Sequence, residues 1–539
     1  MSPLRVLIAG ADMATLTLAL MLEQAGIDYL LLESHDTLPV VAGGVALHPT
    51  VLPLLEQLSL RDDLLFFSQP LEQALVFDAN MNCISSLDWS SWQTRYGAWS
   101  RFISRPEYCS AVLEKIPESR VLFNKTIQSV TTVETEDDIT DTTSNGNTWR
   151  WRPDSLLDSD SDDGSSIKDE KRYQARSHQS RGVTVECSDG SVYTGHVLVG
   201  DVYSQVERKI KVHAPQMQHL DQERDLPQSL QHLRPYAASH DDGKPHWHGK
   251  TDRPPQPTMI KKEASAREIQ FHVSGITEAL DPQRIPLLKE DTTQLRLVTD
   301  DKSSFSWWAA TLVDRRIAWQ VTKRIPLSEK SVHPNEFGTL QEEQVAAAIL
   351  EQVSSNMVCP LGGTMSQLIS WTPSSNISCR RWDDRRTVSS TGATDSSRVV
   401  ILGEACKKIL PVFGQAGVET ILDALALGEA LFYLPSTRLR DIHQALETYR
   451  WERTVRREAA LDESRNMDLL LNVKGPTRRL YRSLILNYTP KCMMDKRYDE
   501  KYSYRPQASF LDQVPDYGQV LPISQPRVGG VFVGAPKYG

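Results

Sequence analysis

The fold is decided by Arg5-Val-Leu-Ile-Ala-Gly10-Ala-Asp12-Met-Ala-Thr15 and the stretch running on to Leu30-Leu-Leu-Glu33. Arg5 to Ala9 is a short apolar run ending at a glycine, the pattern of a strand buried in a parallel sheet. Leu16, Ala19, Leu20, Leu22 and Glu23 keep helical spacing, and Gly26 supplies the stop. Ile27 to Leu32 is a second apolar run, closed by an acid at Glu33. Strand, tight turn, helix, strand and terminal acid are the parts of a dinucleotide-binding βαβ unit, whose turn reads G-x-G-x-x-G. Only the first glycine is kept, as Gly10; Asp12 and Thr15 stand at the other two positions. The second glycine lets backbone approach a pyrophosphate, and a carboxylate there would oppose it by about 4 kcal/mol at about 4 Å and a surface-like dielectric. Uncompensated, that is roughly a thousandfold in affinity. The third glycine allows close helix–strand packing, where Thr15 adds a branched side chain. A competing reading, a secretory leader over residues 1–22, is disfavoured because Asp12 interrupts the apolar run and no clear small-residue cleavage site follows.

Working outward, 539 residues leave room for two or three domains and a large core. Apolar content of 40% with 24% charged residues suits a water-soluble globular chain diluted by polar insertions. A net charge of −9 and no dominant basic face argue against a nucleic-acid binder. The seven cysteines are scattered without a C-x-x-C pair, which suggests free thiols in a reducing, cytoplasmic setting. No transmembrane stretch, internal repeat, P-loop lysine, zinc spacing or nucleophile triad is evident.

Past Glu33, Thr50 to Leu58 reads as helix and Ser68 to Asp88 as strands. Arg101-Phe-Ile-Ser-Arg105-Pro106 reads as the opening of a helix, with proline in the first turn where its missing donor is harmless. Val121 to Val133 reads as one strand. Residues 134–181 are too polar to order themselves and are expected to be disordered. Gly182 to Tyr193 reads as strand, turn, strand, followed by the buried run Val197-Leu-Val-Gly200. A second polar stretch, residues 214–266, is also expected to be disordered; its His240, His246 and His248 read as filler rather than as a metal site. Ile269–Ile276, Gln294–Val298, Ser304–Leu312 and Arg316–Val321 read as an antiparallel sheet whose Trp307, Trp308 and Trp319 fill its core. Helices are expected over 341–353, 419–432, 439–466 and 476–486. Gly414, Ala416 and Gly417 precede the second of these, where exposed amides attract phosphate oxygens. Tyr504 to Leu511 reads as an extended tail. The basic stretch around Leu480 to Leu486 is read first as a helix packed on the nucleotide domain and second as a peripheral contact with a lipid surface.

In this order the motifs resemble the class A flavin-dependent monooxygenases of the p-hydroxybenzoate hydroxylase type, with the fungal branch closest in look. Gly10 to Glu33 corresponds to the family's FAD-binding βαβ unit, and Ala42 to Pro49 looks like its G-A-S-I-G-L-x-P segment, which puts Ala46 at a flavin contact. Arg105 with Pro106 matches the arginine that approaches the FAD. Gly403 to Gly417 looks like the second FAD motif, normally G-D-A-x-H-x-x-x-P-x-x-G-Q-G, with Glu404 and Lys407 replacing its acid and histidine. Gly200-Asp201 to Arg208 resembles a shortened middle signature.

The resemblance implies an α/β fold, α+β overall: a Rossmann-like FAD-binding domain in three parts (residues 1–133, 182–213 and 395–435), an inserted antiparallel-sheet substrate domain (267–394) and C-terminal helices and tail (436–539). It implies FAD as cofactor, NAD(P)H as co-substrate and an apolar or aromatic small molecule as oxygen acceptor. Glu33 would hold the adenosine ribose, Arg105 and Glu404 the ribityl–pyrophosphate region, and Gly414 to Gly417 the isoalloxazine end. No catalytic side chain is singled out, since the cofactor carries the chemistry. Because the departures cluster on one ligand, a pseudoenzyme of the same fold, binding flavin weakly or not at all, is the alternative.

Overall fold

The computed structural model describes residues 3–133, 182–200, 268–300, 303–326, 342–353, 357–383, 398–403, 415–471 and 476–523. Both polar stretches read from sequence as disordered lie outside these residues.

Arg5–Ala9 (β1), Met13–Gln24 (α1) and Asp28–Leu32 (β2) form the opening βαβ unit, with β1 and β2 parallel and Arg5 opposite Asp28. Gly44–Leu47 (β3) precedes Leu52–Gln57 (α2), Arg61–Phe67 (α3), Ser68–Asp78 (β4), Cys83–Asp88 (β5) and Trp92–Tyr96 (α4). Arg101–Ser104 (β6) then leads into Arg105–Leu113 (α5), Val121–Leu122 (β7) and Ile127–Val133 (β8). Gly182–Cys187 (β9) and Val192–Gly195 (β10) make a hairpin, followed by Val197–Gly200 (β11). Glu268–Ile276 (β12), Thr293–Thr299 (β13), Phe305–Thr311 (β14) and Ile317–Pro326 (β15) precede Glu342–Glu351 (α6), Met365–Ser370 (α7), Ile377–Asp383 (β16) and Val399–Ile401 (β17). Four helices close the described chain: Gln415–Phe432 (α8), Leu439–Leu471 (α9), Pro476–Tyr488 (α10) and Lys491–Tyr502 (α11).

The five-stranded sheet has order β17-β11-β1-β2-β7 and is parallel throughout. Val6, Leu7, Ile8, Leu31, Val197, Leu198, Val199 and Val400 are fully buried, as strands covered on both faces require. Because β1 connects to β2 on one side and pairs with β11 on the other, the strand order reverses beside β1. Its carboxyl end therefore opens on the crevice where doubly wound sheets bind ligands. A nine-stranded sheet runs β16-β12-β15-β14-β13-β4-β6-β3, with β5 paired to β4. One face packs on α6 and α7 around Trp307 and Trp319, whose indole N–H groups donate to the Val358 carbonyl and the Thr372 hydroxyl, each at 2.9 Å. Trp308 points to the other face, edge-on to Phe102 with centroids 6.1 Å apart.

Several local expectations change. Arg101–Ser104 is a strand, not a helix opening, because β3 and β4 both pair with it; the helix starts at Arg105, with the Ser104 hydroxyl accepting from the Glu107 amide. Val121 to Val133 is two strands in different sheets. Residues 68–88, placed from sequence with the nucleotide domain, join the large sheet through parallel pairing of β4 with β13. Helix α8 begins at Gln415, so Ala416 and Gly417 lie inside its first turn. The polar helix α11 was not foreseen, and the extended 504–511 tail packs against the nucleotide domain: Ala508 is fully buried and its amide donates to Gln57 at 2.7 Å. Among the described residues no helix is long and apolar enough to cross a membrane.

Candidate functional site

Gly10 ends β1 with φ +90°, a conformation open to glycine, and its amide donates to the Leu32 carbonyl at 2.9 Å. Beside it, the Glu33 carboxylate is 3% exposed. One oxygen accepts the Ala11 amide at 2.7 Å; the other accepts the His35 amide at 2.9 Å and the Ser34 hydroxyl at 3.0 Å. Burial works to raise its pKa, but these donors, led by His35, outweigh burial and hold the carboxyl below its usual value. Glu33 thus stitches the end of β2 to the turn after β1.

The two replaced glycines act together. Asp12 is the N-cap of α1, and with Thr15 it forms a capping box: its side chain accepts from the helix's first amides, while the Thr15 hydroxyl accepts the Asp12 amide at 2.9 Å. Their separation of three residues is the spacing this motif demands. From sequence the Asp12 charge stood uncompensated. In the structure Arg105, buried at the first position of α5, grips it with two N–H groups, Nε at 3.0 Å from Oδ1 and Nη2 on Oδ2. The charge that opposed a pyrophosphate is balanced, and the arginine aimed by the resemblance at the cofactor holds a carboxylate instead.

A second close approach joins β3 and α8. A Cβ built on Gly417 would fall 2.5 Å from Val45 Cγ1, so only glycine lets the first turn of α8 lie this close to β3. Ala46, next to Val45, is 2% exposed and pairs across to Phe102 on β6. The Ala416 carbonyl accepts the Thr420 hydroxyl at 2.8 Å. Gly403, with φ +68°, ends the described part of the β17 segment, and its amide donates to Asp423 at 3.1 Å. Since β17 pairs with β11 and β11 with β1, Gly403, Gly200 and Gly10 close neighbouring parallel strands at one end. Glu404, Lys407 and Gly414, and the signature from Asp201 to Arg208, lie outside the described residues, as do His240, His246 and His248. Among the described residues no cluster suits a metal ion.

One group escaped the sequence reading. Asp423 of α8, 2% exposed, accepts from Arg453 Nε at 2.6 Å, Arg457 Nε at 2.9 Å, Arg457 Nη2 and the Gly403 amide. Burial works against the charge of Arg453, but Asp423 and Glu419 outweigh it and raise the pKa. A lone acid inside the apolar run Ile421 to Leu427, with two arginines four residues apart on the next helix, was the available signal.

These features fit a flavin dinucleotide: a positive-φ glycine turn after β1, an acid at the end of β2, and a helix whose first turn needs a glycine against β3. The "FAD binding domain" family model matches residues 3–194. "FAD-dependent monooxygenase ntnA" of Nectria sp is 28% identical over 220 residues, 39% of this chain and 22% of that protein. "FAD-dependent monooxygenase atnA" of Arthrinium sp is 32% identical over 120 residues, 22% of this chain and 16% of that protein. The chain thus spans about a fifth of the length of these curated relatives. Among solved structures, Klebsiella pneumoniae HpxO complexed with FAD and uric acid superposes with TM-score 0.57 at 16% identity, covering 93% of this chain and 97% of that one. CtdE in complex with FAD and a substrate gives 0.54 at 11%, covering 93% and 98%. At these identities the two structures speak for the fold, while the family match and the relatives speak for descent. Residues 3–194 thus match an FAD binding domain, and the chain is similar over part of its length to fungal FAD-dependent monooxygenases.

Proposed function

We propose that the chain is an FAD-dependent monooxygenase that uses NAD(P)H and O2 to place one oxygen atom on an apolar or aromatic small molecule. The carrying observation is that the positive-φ Gly10 turn and Glu33 lie at the carboxyl end of β1, while the first turn of α8 packs through Gly417 on Val45 and beside Met13 of α1. Bound flavin would supply the redox chemistry, taking hydride from the nicotinamide and activating oxygen. The chain's own residues bind and orient it. The Gly10 turn and Glu33 would receive the adenosine end, Arg105 the pyrophosphate, and Ala416 and Gly417 the ring end beside Ala46. Glu404 and Gly414 are assigned by resemblance to the same cofactor. The substrate is assigned to the face of the large sheet that carries Trp308 beside Phe102.

The alternative, a flavin-free binding protein, drew its force from departures clustered on the cofactor, of which an unbalanced Asp12 is the one within the described residues. Pairing with Arg105 removes that objection. The test is optical: purified or FAD-reconstituted protein should be yellow and should bleach with NADPH in the absence of oxygen. Protein that stays colourless after reconstitution would end this reading. Contact with a lipid surface is a separate proposal, supported by Leu480, Leu484 and Tyr488, exposed at four-residue spacing on α10. Full-length protein should sediment with anionic vesicles, and Leu480→Glu with Leu484→Glu should abolish it; equal sedimentation of both would refute the contact.

A further inference from the structure

We propose that Asp12 is an internal rival of the cofactor's pyrophosphate for Arg105 and for the first amides of α1, so that flavin binds by exchange rather than by simple addition. This rests on the flavin reading above and adds a step that the reading does not contain.

Three observations meet at one point. The Asp12 carboxylate already satisfies the helix terminus through the capping box with Thr15. A helix N-terminus attracts an anion through its unpaired amides and dipole, and a carboxylate answers both as a phosphate would. Second, Arg105 meets the carboxylate through two N–H groups, the same two-pronged geometry a guanidinium uses on phosphate. Third, the main chain of Arg105 is fixed while the tip of its side chain is the part engaged. Its amide donates to the Gly43 carbonyl at 2.9 Å. Its neighbour Glu107 is bound by the Ser104 hydroxyl at 2.7 Å and by Arg316. The guanidinium can change partner without α5 moving.

In the cofactor-free protein, Asp12 and Arg105 satisfy each other. On binding, Arg105 passes from carboxylate to phosphate, and the phosphate takes over the first amides of α1 from Asp12. Apparent affinity is then the intrinsic affinity multiplied by the fraction of molecules whose arginine is released. The exchange makes this chain a weaker holder of flavin than a glycine at position 12 would, while keeping a well-capped α1 when the cofactor is absent.

The experiment measures FAD dissociation constants by quenching of flavin fluorescence for the full chain and for Asp12→Asn, Asp12→Gly and Thr15→Val. Asparagine keeps the cap and removes the charge, so it decides the matter alone if the glycine variant does not fold. Both Asp12 variants should bind FAD about tenfold more tightly or better, as expected when a closed state of about nine in ten is abolished. Thr15→Val, which leaves the charge in place, should stay close to the parent. If all four proteins bind FAD with one affinity, the ion pair is structural and the proposal falls while the flavin reading stands. Weaker binding by Asp12→Asn also overturns it, since Asp12 would then be holding Arg105 ready. No binding by any of them overturns the proposal and the flavin reading together.

Discussion

Replacing Asp423 by asparagine tests how α8 is held to α9 and to the end of β17. The carboxylate lies midway along α8 and receives N–H groups from Arg453, Arg457 and Gly403. Asparagine keeps the size but turns an NH2 toward a set of donors, and it leaves two guanidinium groups, 1% and 7% exposed, short of a counter-charge. Glu419, 2.5 Å from Arg453 Nη2, compensates Arg453 in part. Breaking a buried pair on one side costs about 3–5 kcal/mol, because the remaining charge stays desolvated. At roughly 2 °C per kcal/mol for a large chain, the melting temperature should fall by about 6 °C or more. Urea midpoints read with and without FAD give the cost directly, and the loss should be larger with FAD, since the Gly403 amide opens the segment assigned to the cofactor. The companion variant, Asp423→Leu with Arg453→Met and Arg457→Leu, removes the Asp423 ion pairs at similar volume, leaves only the partly exposed Glu419 charged, and should recover most of the stability, as apolar replacement of buried ion clusters often does. A single-variant loss under about 1 kcal/mol, the range of exposed pairs, would refute the argument, because the arginines would then be reaching water. A triple variant no better than the single one would refute the charge accounting.

Three further outcomes follow from particular contacts. Glu33 has its pKa held below the ordinary 4.5, so its stabilisation is present above that value and is lost as pH falls through the lower folded value. Glu33→Gln should therefore cost stability at pH 7 and little in strong acid, read from urea midpoints; a pH-independent cost would contradict the assignment. Gly417→Ala drives a methyl into Val45 and should cost about 1–3 kcal/mol by overpacking, with Val45→Ala restoring most of it. Failure of that rescue would mean that the clash lies elsewhere. Iodoacetamide at pH 8 should modify exposed Cys83 and Cys492 in the native protein, whereas Cys359, whose thiol burial pushes up to about 11, should react only after unfolding. Native labelling of Cys359 detected by mass spectrometry would refute its burial.

The parallel sheet was legible because it rests on apolar runs, and Val6 to Ile8 or Val197 to Val199 read as buried strands whatever the turn between them says. What stayed hidden was set by distant partners. Arg101–Ser104 is only four residues long and becomes a strand through β3 and the start of β4. Periodicity marked Ser68–Asp88 as strands but could not say that β4 would lie beside Thr293–Thr299, more than two hundred residues on. Helix α11 buries little beyond Tyr502, so its sequence carries no stripe to detect.

The cofactor turn teaches a different lesson. Scored against G-x-G-x-x-G, Asp12 and Thr15 are two independent losses. Scored as helix chemistry, D-x-x-T is one gain, a capping box at the spacing a capping box needs. The sequence held both readings, and only the charge partner, Arg105, ninety-three residues away, was out of reach of local inspection. A motif names the residues that met a ligand's demands in other chains. The demands themselves are a turn the backbone can make, a balanced charge and donors for an anion. Here Gly10 meets the first and Arg105 the second, while the third is shared between Asp12 and whatever phosphate displaces it. Whether such a site accepts flavin is therefore a question about the strength of one ion pair, not about how many glycines remain.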